Sequence, residues 1–517
     1  MHQAAFDAEK LAAQMGVPVV FACADLEPLE FLGAQIVAPD RNQWRSIGAI
    51  ADVGELCVEF FCHGRISIYS VQTTLSRFPA FAQYCPSRQF CTVILHPSSE
   101  RKNVKLSPTS SLHVIVIGAG LGGLCLAQGL KKNGISVAVY EKDASPFSRT
   151  QGYRIRIDHN GRDALQACLP PERYRLFNAT CAQTAAGVDT VNGQLQPLAG
   201  KWVSSWRKGA AEGGAPDNLA DRQTMRQVLL QGLRREVHFG AQFLHYEETA
   251  DGRVTAHFVN GGSVTGDVLV AADGVHSAVA AQRFPAMQPQ DTGDVCVYGK
   301  TPLTAALRAT LAHQLQAGTS VIFEKGLAGV IDAMRFSGDA FDSDLQQPDD
   351  YLYWALVGAR ERFGLEQAPD AALRLSAAEL TQKIGAITAG WSPALKLVYE
   401  SCNPALRTLV PIRTASLPCL WKASRVTALG DAIHAMSPAG GLGANSALAD
   451  AALLTSALAE ASHEAQREAG GADKVDTITP AIDLYESLMC ARSFAALASS
   501  QQGNRQLLGR DENAVAD

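Results

Sequence analysis

A short run, Leu112-His113-Val114-Ile115-Val116-Ile117, leads directly into Gly118-Ala119-Gly120-Leu121-Gly122-Gly123. The run is apolar and rich in β-branched residues, which suits a strand buried on both faces. The next stretch, CLAQGLKKNG, has helical spacing and ends at Gly134, a natural helix-terminating residue. ISVAVYEK then reads as a second buried strand. Together these make a β-α-β unit of about 30 residues. Gly118 permits the tight turn, Gly120 lets a pyrophosphate approach the backbone, and Gly123 lets the helix pack closely on its strand. The helix N-terminus offers free N–H groups and a positive dipole end to phosphates. Glu141 ends the second strand, 18 residues after Gly123, where an acid can hold a ribose 2′-OH and would repel a 2′-phosphate. FAD or NAD is therefore favoured over NADP at this site.

Two later motifs bear on the choice between FAD and NAD. Asp273-Gly274 follows the apolar strand DVLVAA. Gly430-Asp431-Ala432-Ile433-His434 follows RVTAL and continues through Pro438, Gly440, Gly441 and Gly443 into an Ala/Leu-rich helix. Taken alone, each pair is an ordinary turn dipeptide. In this order and spacing, the three motifs resemble the group A flavoprotein monooxygenases, the family of p-hydroxybenzoate and salicylate hydroxylases. The resemblance spans about residues 112 to 500.

The resemblance implies an α/β fold: a Rossmann-like FAD-binding domain with an inserted mixed β-sheet substrate domain. Gly118, Gly120 and Gly123 would hold the ADP pyrophosphate, and Glu141 the adenosine ribose. Arg222, at the head of RQTMRQVLL, matches an arginine that contacts FAD. Asp273 and Gly274 match the second motif, linked to FAD and to reductant use. Asp431 matches the aspartate on the ribityl chain, and Pro438 a proline beside the isoalloxazine. The backbone from Gly440 through Gly441 and Gly443 to Ala444 would face the flavin pyrimidine edge. A helix N-terminus there favours negative charge on the reduced ring. The expected activity uses NADPH or NADH as transient co-substrate and O₂. It hydroxylates an aromatic, polyketide-like or other electron-rich small molecule through a flavin C4a-hydroperoxide. The alternatives are a same-fold epoxidase or Baeyer–Villiger type oxygenase, or a non-catalytic ligand-binding relative. The sequence singles out no catalytic side chain. His434 reads as a hydrogen-bonded structural residue of the cofactor loop. Arg154 and Arg156 alternate along one strand, which puts both on one face. Tyr298, Phe323, Met334 and Trp354 are candidates to line the substrate space, although such stripes are more often core. One departure stands out: Ala280 occupies a position where the family carries Arg, and Arg283 follows three residues later.

The remaining composition sets bounds. A chain of 517 residues exceeds what one core supports. We expect an N-terminal extension of uncertain structure over 1–110, FAD-binding segments over 111–285 and 401–500, a substrate domain over 286–400, and a tail over 501–517. The net charge of −6, without a basic block, gives no footprint for nucleic acid. No stretch is long and apolar enough for a membrane span. The 12 cysteines are spread through apolar surroundings and read as reduced thiols of a cytoplasmic protein. Cys57, Cys62, Cys85, Cys91 and His63 match no compact zinc spacing, so no metal site is expected. The oligomeric state is not encoded in any feature of the sequence.

Overall fold

In the computed structural model, contacts divide the chain into two units, Met1–Pro108 and Thr109–Asp517. The first is described only in three strands, Ile47–Asp52, Glu55–Cys62 and Arg65–Val71, which form an antiparallel meander. The cysteine and histidine side chains considered there lie outside the described residues. In the second unit the described residues are 112–148, 153–183, 187–199, 216–324, 326–337, 345, 348–365, 373, 375–416, 421–468 and 476–510.

Strand β1 (His113–Ile117), helix α1 (Leu121–Lys132) and strand β2 (Ser136–Glu141) form the first β-α-β unit. Strand β3 (Arg154–Ile157) and helix α2 (His159–Cys168) follow. Next come β4 (Val188–Val191), β5 (Asn218–Asp221), α3 (Arg222–Leu230), β6 (Val237–Phe239) and β7 (Val268–Ala271). Strands β8 (Gln290–Pro302), β9 (Thr319–Glu324), β10 (Leu327–Met334), β11 (Tyr351–Ala359) and β12 (Thr408–Thr414) precede β13 (Val426–Ala428). Two long helices, α4 (Gly443–Glu468) and α5 (Ile478–Leu507), complete the order.

The cofactor-type sheet is five-stranded and parallel, in the order β13-β7-β1-β2-β6. β1 and β7 are buried on both faces, as their unbroken apolar runs require. Its α1-side core includes Leu124, Leu126, Leu130, Leu448, Leu454 and Leu458, each fully buried. The second sheet is six-stranded and mixed, in the order β12-β8-β11-β10-β9-β4. Only the β9–β4 pair in it is parallel. This sheet draws β4 and β12 from either side of residues 286–400. Period-2 alternation divides its residues between two cores. Trp354 lies in one with Leu356, Val398 and Tyr399. Tyr298, Phe323 and Tyr353 lie in the other, with Ala439 and Leu507.

Helix α5 is fastened to the mixed sheet through one carboxylate. Asp294 is 1% exposed. It accepts from Asn504 Nδ2 at 3.0 Å and from both Arg510 guanidinium nitrogens. Asn504 Oδ1 in turn accepts from Ser437 Oγ at 3.1 Å, beside Pro438. Asp294→Ala leaves these donors without their acceptor and should cost about 1–3 kcal/mol. Urea unfolding measures the loss, and limited proteolysis should cut the end of α5 first.

Candidate cofactor site

The three sequence motifs meet at the C-terminal ends of β1, β7 and β13, where ligands bind in open parallel sheets. The first two meet backbone against backbone. Gly118 has φ +110°, and a Cβ there would stand 2.3 Å from the carbonyl oxygen of Ala272. A Cβ on Gly123 would stand 2.2 Å from Gly118 O, so α1 lies directly on its own turn. A Cβ on Gly122 would meet Leu429 Cδ1 at 2.7 Å, and one on Gly430 would meet Ala447 Cβ at 2.9 Å. At Gly120, by contrast, the nearest such contact is 3.9 Å away. Gly120 caps α1 without any side-chain hydrogen bond, and the first turn carries no acid. The N–H groups are thus available to a phosphate.

Glu141 is buried and already engaged. Its Oε2 accepts from Ala119 N at 2.9 Å, and its Oε1 accepts from Asp143 N at 3.0 Å. Arg226 Nη2 stands 3.6 Å from Oε2. Arg226 also donates to Ala119 O at 2.9 Å and to Pro146 O at 3.0 Å. This arginine, 4% exposed, ties α3 to the glycine loop. No sequence motif singles it out, whereas the family motif picks out Arg222, four residues earlier. Its signal was its place on the buried face of an amphipathic helix.

Arg222 begins α3, capped by Asp221, whose Oδ1 accepts from Gln223 N and Thr224 N at 3.0 Å. Its guanidinium lies over the Tyr153 ring, 5.5 Å from the centroid. Its charge reaches Asp431. Asp431 is exposed at the head of a one-turn helix, yet the surrounding protein desolvates it and raises its pKa against the pull of His434 and Arg222. An accessible yet desolvated carboxylate marks the wall of a recess. A Cβ on Gly443, the first residue of α4, would lie 3.6 Å from Asp431 Oδ1. Gly441 is left-handed at φ +64°, and the nearest atom to its Cβ position is Arg156 Nε at 4.0 Å. Ala444 is half-buried and Pro438 exposed. Asn445 joins this loop to β3, donating to Arg156 O and Gly441 O at 3.0 Å and accepting from Asp158 N at 3.1 Å.

In the second motif, Asp273 Oδ2 accepts from Ala278 N at 3.0 Å. Its Oδ1 is shut from solvent without a hydrogen-bond partner, and burial raises its pKa. Gly274 has φ +81°. Ser277 Oγ caps the following helix at Ala280 N. Arg283 does not stand in for the missing family arginine. It donates to Val426 O and Lys422 O, at the opposite, N-terminal end of β13.

Behind Asp431 lies a buried hub. Asp450 is fully buried and accepts from Gly430 N at 2.8 Å. It also bonds His434 Nε2 at 2.5 Å and pairs with Arg492 of α5. Burial lowers the His434 pKa, but the charge and hydrogen bond of Asp450 outweigh it and the net shift is upward. His434 is thus a braced structural residue.

Arg154 pairs with buried Asp332 of β10, and Arg156 lies 3.1 Å from Asp217. Of the four candidate lining residues, Tyr298 and Phe323 lie on the sheet face that meets Ala439. Trp354 points to the other face and donates to Thr301 Oγ1 at 3.1 Å, while Met334 packs with Tyr351 and Leu219. Both are core residues.

Three substitutions test this packing. Gly123→Ala forces a side chain onto Gly118 O and should cost about 1–3 kcal/mol. Gly385→Ala meets nothing within 4 Å in an exposed helix and should be stabilising by about 0.5–1 kcal/mol. Paired thermal melts distinguish the two. The His434 pKa is raised above 6.5, so its share of stability is complete below pH 6.5 and is lost as pH rises through the folded value. His434→Gln should remove that part of the slope, which unfolding measured from pH 5 to about 9 will show.

Comparisons with known proteins agree with this architecture. Residues 417–472 match the FAD binding domain family, and residues 116–175 match the NAD(P)-binding Rossmann-like domain. The chain is 33% identical over 436 residues to the dual O-methyltransferase/FAD-dependent monooxygenase elcB of Phaeosphaeria nodorum, covering 77% of this chain and 46% of that protein. The chain thus spans about half the length of this curated relative. It is 27% identical to the FAD-dependent urate hydroxylase of Klebsiella pneumoniae, covering 66% of this chain and 80% of that one. Among solved structures, a Photorhabdus luminescens protein described as an FAD-containing monooxygenase superposes with TM-score 0.63 at 30% identity, covering 77% of this chain and 99% of that one. The parallel sheet with its three converging turns and the full-length match to this last protein place the chain in the FAD-dependent monooxygenase family, the group A flavoprotein hydroxylases.

Proposed function

We propose that this chain hydroxylates a small aromatic or polyketide-like molecule, with NAD(P)H as reductant and O₂ as oxidant. The observation that carries the reading is the meeting of the Gly118–Gly123 turn, Asp273-Gly274 and Gly430-Asp431 at one end of the parallel sheet. The FAD supplies hydride acceptance and oxygen activation when bound; the protein supplies position, charge and dryness. Gly118, Gly120 and Gly123 would seat the pyrophosphate on α1. Glu141, braced by Arg226, keeps the acid edge against the adenosine ribose. Asp431 would take the ribityl hydroxyls. Gly441, Gly443 and Ala444 present the N-terminus of α4, which favours negative charge on a ring set against it.

The substrate would lie between that loop and the inner face of the mixed sheet. Tyr298, Phe323, Tyr353 and Val410 supply that face, and Ala439 of the loop packs against it. Tyr153 crosses Tyr298 edge to face, with ring centroids 5.0 Å apart. Such a wall accepts a planar aromatic ring and keeps water from the reacting atoms. Burial raises the Tyr298 pKa, so its phenol stays neutral and can only donate or accept a hydrogen bond.

The test is spectroscopic. The purified chain should show flavin bands that bleach with NADH or NADPH under anaerobic conditions and return with air. Candidate phenols should then raise oxygen uptake and yield a hydroxylated product. Asp431→Ala should weaken FAD binding by roughly ten- to hundredfold, the worth of about 1.5–3 kcal/mol for a hydrogen bond to a charged group. A protein that cannot be reconstituted with FAD, or one that oxidises NAD(P)H without oxygenating any aromatic, enol or olefin, would sink the reading.

A further inference from the structure

A second constellation sits on the antiparallel hairpin formed by Phe243–Glu248 and Val254–Phe258. His245 and His257 are direct cross-strand partners, and Glu247 follows two residues along the first strand on the same face. A register shift between Phe243 and His245 re-aims this strand. The result places three metal-type donors together. His245 Nε2 is 3.5 Å from Glu247 Oε1, and His257 Nε2 is 3.8 Å from Glu247 Oε2. All three donor atoms lie within 4.8 Å of one another. His257 Nε2 is shut from solvent and has no hydrogen-bond partner.

We propose that His245, Glu247 and His257 bind a divalent transition-metal ion of the zinc type. Two imidazoles and a carboxylate are a zinc donor set, and a fourth position stays open to water. Ligands about 2.0–2.1 Å from a tetrahedral ion stand about 3.3 Å apart, close to the separations the hairpin already provides. The imidazole rings are stacked at 4.5 Å with planes 8° apart. Parallel rings cannot both aim in-plane lone pairs at one point, so one ring turns about its Cβ–Cγ bond as the ion enters. His245, 45% exposed, has room to do so. The hairpin itself is firmly held: Tyr246 is buried in the core and exchanges two backbone bonds with the side chain of Gln282. The face that bears the donors is therefore a rigid platform, and its three donors are not among the residues of the flavin cradle.

The test uses the FAD-loaded, metal-stripped full chain titrated with Zn²⁺ by calorimetry. The native protein should bind one more ion per chain than His245→Ala/His257→Ala, whatever the thiols contribute to both. Glu247→Gln, which keeps size and exposure, should weaken that one site by at least about tenfold, since even an outer-shell partner is worth that much. His463→Ala, an exposed histidine on α4, should change nothing. Flavin content and the far-ultraviolet spectrum confirm that each variant is folded. Equal zinc stoichiometry and affinity in the native chain and in Glu247→Gln would overturn the proposal, as would an undiminished count in the folded double variant.

Discussion

The architecture turns on one contact that leaves no room for a methyl group: the turn at Gly118 pressed against the carbonyl of Ala272. β1 and β7 are neighbours in a parallel sheet, so their C-terminal ends open at the same level. Only because Gly118 lacks a Cβ can the two following turns touch. That contact aims the N–H groups of α1 into the same space as Asp273. Gly123 repeats the economy one turn later, letting α1 lie on the loop it caps. The turn-to-turn contact in this cradle owes nothing to side chains.

The sequence disclosed the parts of the structure that depend on backbone. Gly118, Gly123, Gly430 and Gly441 were readable because close approach and positive φ admit few other residues. β1 and β2 were readable because strands covered on both faces have no polar alternation. What escaped was contact between residues far apart in the chain. Arg226 reaches back 107 residues to Ala119 O, and Asn445 reaches 289 residues to Arg156 O. Neither sits in a motif, and no periodicity reports the partner. Trp354 and Tyr353 show the same limit at short range. Alternation puts them on opposite faces, but the sequence does not say which face meets the cofactor loop. The six-stranded sheet likewise takes β4 from a segment whose pattern gives no hint of pairing with β9.

Electrostatics around the site are arranged in layers. Arg222 and His434 lean on Asp431 from within, while Arg226 neutralises Glu141 at the other end of the cradle. Polar groups already held in place need less reorganisation when a polar ligand arrives. The mixed sheet has its own charged seam. Asp221 caps α3 with one oxygen and holds Lys300 and Tyr351 with the other. The helix that carries Arg222 is thereby anchored to the sheet that forms the opposite wall.

The hub at Asp450 has a consequence for how the protein comes into being. Gly430 and His434 are held by a carboxylate whose charge is completed by Arg492, and Pro438 sits beside a serine bonded to Asn504. A chain emerging from the ribosome presents its phosphate loop first, some 370 residues before Arg492 exists. The flavin-facing loop lacks the Arg492 half of this hub until α5 is made. Docking of that helix is thus a late step in completing the loop that would face the flavin.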